Sequence, residues 1–332
     1  MEYRNLGRTG VKISMFGLGS LLFGKPEYIS DPIDIIDQAI DAGINYIDTA
    51  NVYAGGASEE IIGKALQKNG KRSRIILATK VHFSVNRKDP NACGNSRHHI
   101  IQQCDRSLQR LQTDYIDLYQ IHRPSSEVAI DETLRALDDL IRSGKVRYIG
   151  TSTFAAWQIV EALWASNEFK LNRIISEHPP YHILDRSIER ELIPMALTYD
   201  VAILPWSPLA GGFISGKYNR DLIHLPIKGT KLDRHFNQYA FDALDIIKSI
   251  ALEKQCTPSQ FALAWCTRQP GITAPIIGPR TVQQLENSLG AVDIHITDED
   301  RRRIDAVTPP GQTINFPEID YQADFGPHQY RW

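Results

Sequence analysis

The sequence predicts an α/β protein folded as one closed (β/α)8 TIM barrel over residues 1–332, with an N-terminal β-hairpin and long loops on the C-terminal face. Eight short apolar runs alternate with eight longer amphipathic segments, the rhythm of consecutive strand-helix units. The composition does not break anywhere along the chain. The first apolar run is not followed by the glycine-rich turn of an open doubly wound sheet, since GLGSLLFG has the wrong spacing. A chain of 332 residues, 42% of them hydrophobic, can bury a large core, and barrels of this length form one domain.

The elements follow in order. Residues 3–14, turning at Gly7 and Gly10, read as a hairpin. The strands are expected at residues 16–19, 44–48, 74–80, 115–122, 146–151, 173–177, 201–205 and 274–277. Helical periodicity follows each of them, at residues 32–42, 58–68, 97–111, 127–143, 155–166, 187–199, 241–253 and 282–291, and several of these segments open on Ser, Thr or Asp caps. Residues 81–96 and 209–239 are longer than ordinary barrel loops; at the C-terminal ends of strands such segments cover a ligand. The aromatic and proline-rich tail, residues 308–332, has no period and is expected to fold over the same face.

Composition narrows the function classes. A formal net charge of -2, with signs mixed along the chain, steers the protein toward neither nucleic acid nor a membrane surface and leaves a small neutral or anionic ligand. Cys93, Cys104, Cys256 and Cys266 form no C-x-x-C pair and no zinc pattern, so free thiols and no metal site are expected. The polar residues 1–10 carry no signal-peptide core, and no apolar run reaches membrane-spanning length, as expected of a cytoplasmic protein.

Barrel chemistry sits at the C-terminal strand ends. Here INYID ends in Asp48, RIILATK in Lys80 and YIDLYQIH in His122, while Tyr53 lies in the loop five residues after Asp48. Taken singly, each is an ordinary solvated strand end. Together on three adjacent strands they form a set suited to protonating a carbonyl oxygen. A phenol is a poor acid near neutrality, and an ammonium beside it favours its ionised form. A carboxylate holds that ammonium charged, and an imidazole directs a hydrogen bond at the substrate oxygen.

With these residues in place, the chain resembles the aldo-keto reductases over residues 3–306, through IDTANVYAGGASEEIIGKAL, ILATKV, SLQRLQTDYIDLYQIHRP, GKVRYIGTST, PPYHILDR, LPWSPLAGGFISGKY and PIIGPRTVQQLENSLGA. The resemblance implies that Asp48, Tyr53, Lys80 and His122 are the catalytic tetrad, with Tyr53 as general acid, and that NADPH/NADP+ is the cofactor. It implies reduction of a small-molecule aldehyde or ketone by transfer of the pro-R hydride. It also places Trp206 against the nicotinamide and Ser152 and His178 at its carboxamide. A core role for Trp206 and a helix-capping role for Ser152 or Thr153 are the alternatives.

The resemblance further assigns Ser207, Leu209 and Gly211 to the pyrophosphate, with Lys217 as an additional phosphate contact. In GPRTVQQLENS, Gly278 opens a turn into a helix start, where backbone N–H groups and the helix dipole favour a phosphate. The resemblance puts the adenosine 2'-phosphate there on Arg280, the adenine end near Gln284 and Asn287, and Lys231 as a weaker partner for the anion. Arg280 facing solvent is the alternative.

Four positions depart from the family pattern. Thr153 stands where Asn is usual, His178 where Gln is usual, and Asn287 and Ser288 where Glu and Asn are usual. The substrate candidates Leu22, Phe83, Phe213 and Tyr321 come from the least template-like stretches. Arg123, following His122, meets an anionic substrate or serves structure. Two rival functions are a regulatory nucleotide-binding subunit, since the resemblance extends to potassium-channel beta subunits, and an enoyl (C=C) reductase, against which His122 argues.

Overall fold

The computed structural model describes residues 1–29, 31–86, 88–220 and 235–314. Eight parallel strands run in the order β10-β3-β4-β5-β6-β7-β8-β9: β3 Gly17–Gly19, β4 Tyr46–Asp48, β5 Ile76–Val81, β6 Ile116–Ile121, β7 Val146–Ser152, β8 Ile174–His178, β9 Ala202–Ile203 and β10 Ile276–Ile277. The ends of the sheet meet where Thr273 N donates to Ile203 O (2.9 Å) and Ile276 N to Pro205 O (2.8 Å), closing the barrel. The last two strands are shorter than their apolar runs because Pro205 and Pro275 have no N–H to extend the ladder.

The hairpin pairs β1 (Tyr3–Asn5) with β2 (Lys12–Ser14) in the register Tyr3↔Ser14. Its Leu6 and Ile13 are fully buried among Tyr46, Ala78, Leu118 and Ile175, so the hairpin plugs the N-terminal mouth of the barrel. Gly7 makes this close approach possible. It has a φ of 56°, and a Cβ there would stand 2.7 Å from Ile175 O and 2.9 Å from Asp200 O.

The helices α1 (Pro32–Asp41), α2 (Ala57–Asn69), α3 (Arg97–Leu111), α4 (Ile130–Arg142), α5 (Ala156–Glu168), α6 (Leu192–Tyr199), α7 (Gln238–Glu253) and α9 (Val282–Leu289) fall on the eight expected segments. Their apolar stripes pack on the outer face of the sheet in a second, larger core. Two further helices, α8 (Pro258–Thr267) and α10 (Asp298–Val307), lack a readable stripe for opposite reasons. The α8 helix buries every residue except Pro258 and Gln260, whereas α10 buries only Asp300 and Ile304. Both announce themselves by capping boxes instead, Thr257 with Gln260 and Thr297 with Asp300. No helix among the described residues is long and apolar enough to cross a membrane.

The tail is tied down as far as Ile314. Arg186 Nη1 donates to Thr308 O (2.7 Å), Gly311 N to Glu189 Oε2 (3.0 Å) and Ile314 N to Leu184 O (3.2 Å).

Candidate active site

Parallel strands send alternate side chains into the barrel, so Tyr46 and Asp48, Ala78 and Lys80, and Leu118, Gln120 and His122 form inward-facing columns. The lower members pack with the hairpin in the lumen. The uppermost polar members meet at the C-terminal rim. Lys80, fully buried, forms an ion pair with Asp48, donates to Thr49 O at 2.9 Å and stands 3.5 Å from Tyr53 Oη. Asp48 also accepts from Gln120 Nε2 (3.0 Å) and Tyr46 Oη (3.5 Å). Burial works against the Lys80 ammonium, but Asp48 and Tyr53 outweigh it and hold the lysine above its ordinary range.

Tyr53 opens a tight turn, Tyr53–Gly56, in which Ala54, Gly55 and Gly56 all take left-handed backbone angles. The turn is fixed from below: Asn51 N donates to Lys80 O (3.1 Å), and Tyr53 N to Ala50 O (3.1 Å). The following helix α2 is anchored by Glu59, which accepts from Thr79 Oγ1 and Arg110 Nε, both at 2.6 Å. The phenol therefore hangs from an element bonded to the strand that carries Lys80. Burial pushes the Tyr53 hydroxyl up, more strongly than Lys80 draws it down. Lys80 does favour the ionised form, as expected, but the net direction holds the phenol protonated.

His122 meets Tyr53 and Phe83 edge-on, with ring centroids 5.8 Å and 5.0 Å apart. Burial, helped by Lys80 and Arg123, pushes its imidazole far below the usual histidine range, so it is neutral near pH 7. The expected tetrad is one contiguous cluster.

The carboxamide candidates join this cluster. Ser152 Oγ donates to His178 O (3.0 Å), and His178 Nδ1 lies 3.7 Å from Asp48 Oδ1. Burial, with Lys80 next, holds His178 neutral as well. Thr153 has a φ of 62°, left-handed and costly for a β-branched residue. Its hydroxyl accepts from Arg123 Nη1 (2.7 Å) and donates to Ser152 O (2.6 Å), while Phe154 N donates to the buried Glu177 at 3.1 Å. Gln120, Glu177 and the Arg123–Thr153 contact are absent from the sequence-level site. A Gln inside a buried parallel strand, two residues before His122 and so on the same face, was the available signal for the first.

Trp206, half-buried, is bridged to Pro180 just beyond β8, with its backbone N–H donating to Pro179 O at 2.9 Å. After it, Ser207, Ala210, Gly211 and Gly212 take left-handed angles, which curl the loop through Leu209 into a tight turn. Lys217 is exposed, its ammonium 4.9 Å from the Tyr218 ring centre. Gly278 follows β10 with open space where a Cβ would stand. Arg280, exposed, lies over the Tyr28 ring at 5.2 Å just before the Thr281 cap of α9. The Gln284 side chain accepts from Arg280 N (2.9 Å), and Asn287 is bonded to Thr257 (3.1 Å).

Of the substrate candidates, Phe83 is exposed and borders His122 and Arg123, and Leu22 is partly buried against the outer core. Phe213 is a correction. It is fully buried among Tyr218, His235, Phe236 and Phe241 and offers a substrate no face. Tyr321 and Lys231 lie outside the described residues.

The family model of the Aldo/keto reductase family matches residues 16–309. Among curated relatives, the chain is 37% identical to the uncharacterized oxidoreductase YrpG of Bacillus subtilis, covering 94% of this chain and 97% of that one. It is 34% identical to a Schizosaccharomyces pombe protein provisionally named a voltage-gated potassium channel beta subunit, covering 97% and 96%. An Arabidopsis thaliana protein named a probable voltage-gated potassium channel subunit beta is 35% identical, covering 89% and 92%.

Proposed function

The chain belongs to the Aldo/keto reductase family, whose members generally use nicotinamide cofactors, and on that premise we propose that it reduces an aldehyde or ketone to an alcohol with NADPH, using Tyr53 as general acid. The observation that carries this reading is the buried chain Asp48–Lys80–Tyr53, with neutral His122 beside the phenol.

The rim suits a nicotinamide nucleotide on its own features. His122 Nδ1 and His178 Nδ1 are buried without a hydrogen-bond partner among the described residues, and Gly278 leaves open space ahead of a helix start. Ser152 and His178 would hold the carboxamide and Trp206 the ring face. Ser207, Leu209, Gly211 and Lys217 would hold the pyrophosphate, and Gly278, Arg280, Gln284 and Asn287 the phosphorylated adenosine end. When bound, the nicotinamide supplies the hydride.

The chain's own residues do the rest. Tyr53 transfers its hydroxyl proton to the carbonyl oxygen. Lys80, kept charged by Asp48, stabilises the phenolate left behind, which lowers the cost of that transfer. His122 orients the carbonyl through a hydrogen bond from its neutral ring. The test is NADPH oxidation across a panel of aldehydes, ketones and sugar derivatives. Turnover lost in Tyr53→Phe supports the reading, and no turnover on any carbonyl overturns it.

The names of the two channel-subunit relatives favour a second reading, a regulatory subunit that binds nucleotide without steady turnover. A single reduction per bound cofactor, without multiple cycles, would select it.

A further inference from the structure

We propose that the N-terminal mouth of the barrel, opposite the reductase site, binds a small, multiply charged oxyanion of the phosphate class through Arg8, Arg147 and Arg173. A cavity of about 240 Å³ opens there between the hairpin and the starts of β7 and β8, lined by these three arginines with Thr9, Tyr148 and Asn172. Only two carboxylates among the described residues, Asp117 and Asp200, offset these three guanidiniums. Arg173 donates only to carbonyls, Tyr199 O at 2.6 Å and Ile174 O at 3.4 Å. Arg147 pairs with Asp117 at 3.7 Å and lies over the Tyr115 ring at 4.0 Å, but it shares that carboxylate with Arg72, which holds the other oxygen at 2.8 Å. Arg8 has neither a side-chain hydrogen bond nor an ion pair among the described residues, and Asp200 is the one acid that offsets the Arg8–Arg173 repulsion.

Like charges lining a cavity create a positive potential that an anion relieves, and planar guanidinium forks match the paired oxygens of a phosphate. Three positive charges favour a dianion or higher over a monocarboxylate. The volume is below the roughly 300–1,000 Å³ of sites for drug-sized ligands, which suits inorganic phosphate or pyrophosphate rather than a dinucleotide. The site is separate from the cofactor rim. Arg147 and Ser152 stand near opposite ends of β7 (Val146–Ser152), whose seven residues extend roughly 20 Å at about 3.3 Å each.

The test is calorimetric titration of the full chain with inorganic pyrophosphate at low ionic strength, in wild type, Arg8→Ala, Arg147→Ala and Arg280→Ala, and in Arg280→Ala combined with Arg8→Ala. The Arg280→Ala variant removes one proposed cofactor-phosphate contact but leaves the pyrophosphate loop at the rim, so the part of the surviving binding that Arg8→Ala or Arg147→Ala removes is what reports the barrel base. The expected result is pyrophosphate binding retained in Arg280→Ala and weakened about tenfold or more when Arg8→Ala is added, the loss of one charge-assisted contact. Arg147→Ala, at an exposed position on the same cavity, should weaken it similarly. Absence of binding in wild type, its loss in Arg280→Ala, or its indifference to both Arg8→Ala and Arg147→Ala would each overturn the proposal. None of these results bears on whether the rim reduces carbonyls.

Discussion

Lys80 Nζ stands 3.5 Å from Tyr53 Oη while its remaining contacts go to Asp48 and to Thr49 O. The lysine is thus oriented by strand β4 and spends its charge on the phenol. Tyr53→Phe should lower kcat by about 10²–10⁴, the usual worth of a positioned proton donor, with cofactor affinity nearly unchanged because the ring remains. Lys80→Met acts on the same proton transfer, so the double variant should lose far less than the product of the two single losses. Steady-state kinetics on all three variants checks this, and multiplicative losses would mean independent roles.

Arg280 precedes the Thr281 cap of α9 and rests on Tyr28. If it grips the 2'-phosphate, Arg280→Ala should weaken NADPH binding by on the order of 1–3 kcal/mol and leave NADH nearly unchanged. Higher salt should narrow the wild-type preference as the attraction is screened. Fluorescence quenching titrations at low and high salt measure both constants. A wild type without preference would remove Arg280 from the site.

Thr153 holds a left-handed φ of 62° through its hydroxyl bonds to Arg123 and Ser152 O. Asn tolerates that backbone and keeps a polar side chain, so Thr153→Asn should leave the melting temperature unchanged or raised. Thr153→Val keeps the β-branch and removes the bonds; it should destabilise by about 1–3 kcal/mol. A melting temperature for Thr153→Val equal to wild type would show that the Arg123 contact contributes nothing.

Burial pushes the Glu177 carboxyl up to about 8 from an ordinary 4.5. Between those values the folded chain keeps a proton that the unfolded chain has released, so stability falls as pH rises through that window. Buried His122 and His178 act oppositely: lowered from 6.5, they add stability as pH climbs toward 6.5 and change nothing above it. From about pH 7 upward only Glu177 among these groups still sets a slope. The melting temperature should therefore drop between about pH 7 and pH 8.5 in wild type and stay flatter in Glu177→Gln, which keeps the shape and has no proton to lose. Equal slopes in thermal melts would mean that Glu177 is ionised when folded.

The sequence by itself determined the barrel and picked out the proposed reacting groups. Short apolar runs for strands and period-3.6 helices are local patterns, and Asp48, Lys80 and His122 were legible because each ends an apolar run. It did not disclose α8 or α10, since a helix that buries nearly every residue and one that buries only two carry no readable stripe. It also misjudged Phe213, an aromatic in a loop-like stretch that packs with Phe236 and Phe241 from distant positions. Only the tertiary structure decided that Gln120 and Tyr46 secure Asp48, that burial outweighs Lys80 in setting the Tyr53 proton, and that three arginines share a cavity beneath the hairpin. Desolvation and convergence depend on which strands become neighbours. That is a property of the closed barrel, with no counterpart in the spacing of residues along the chain.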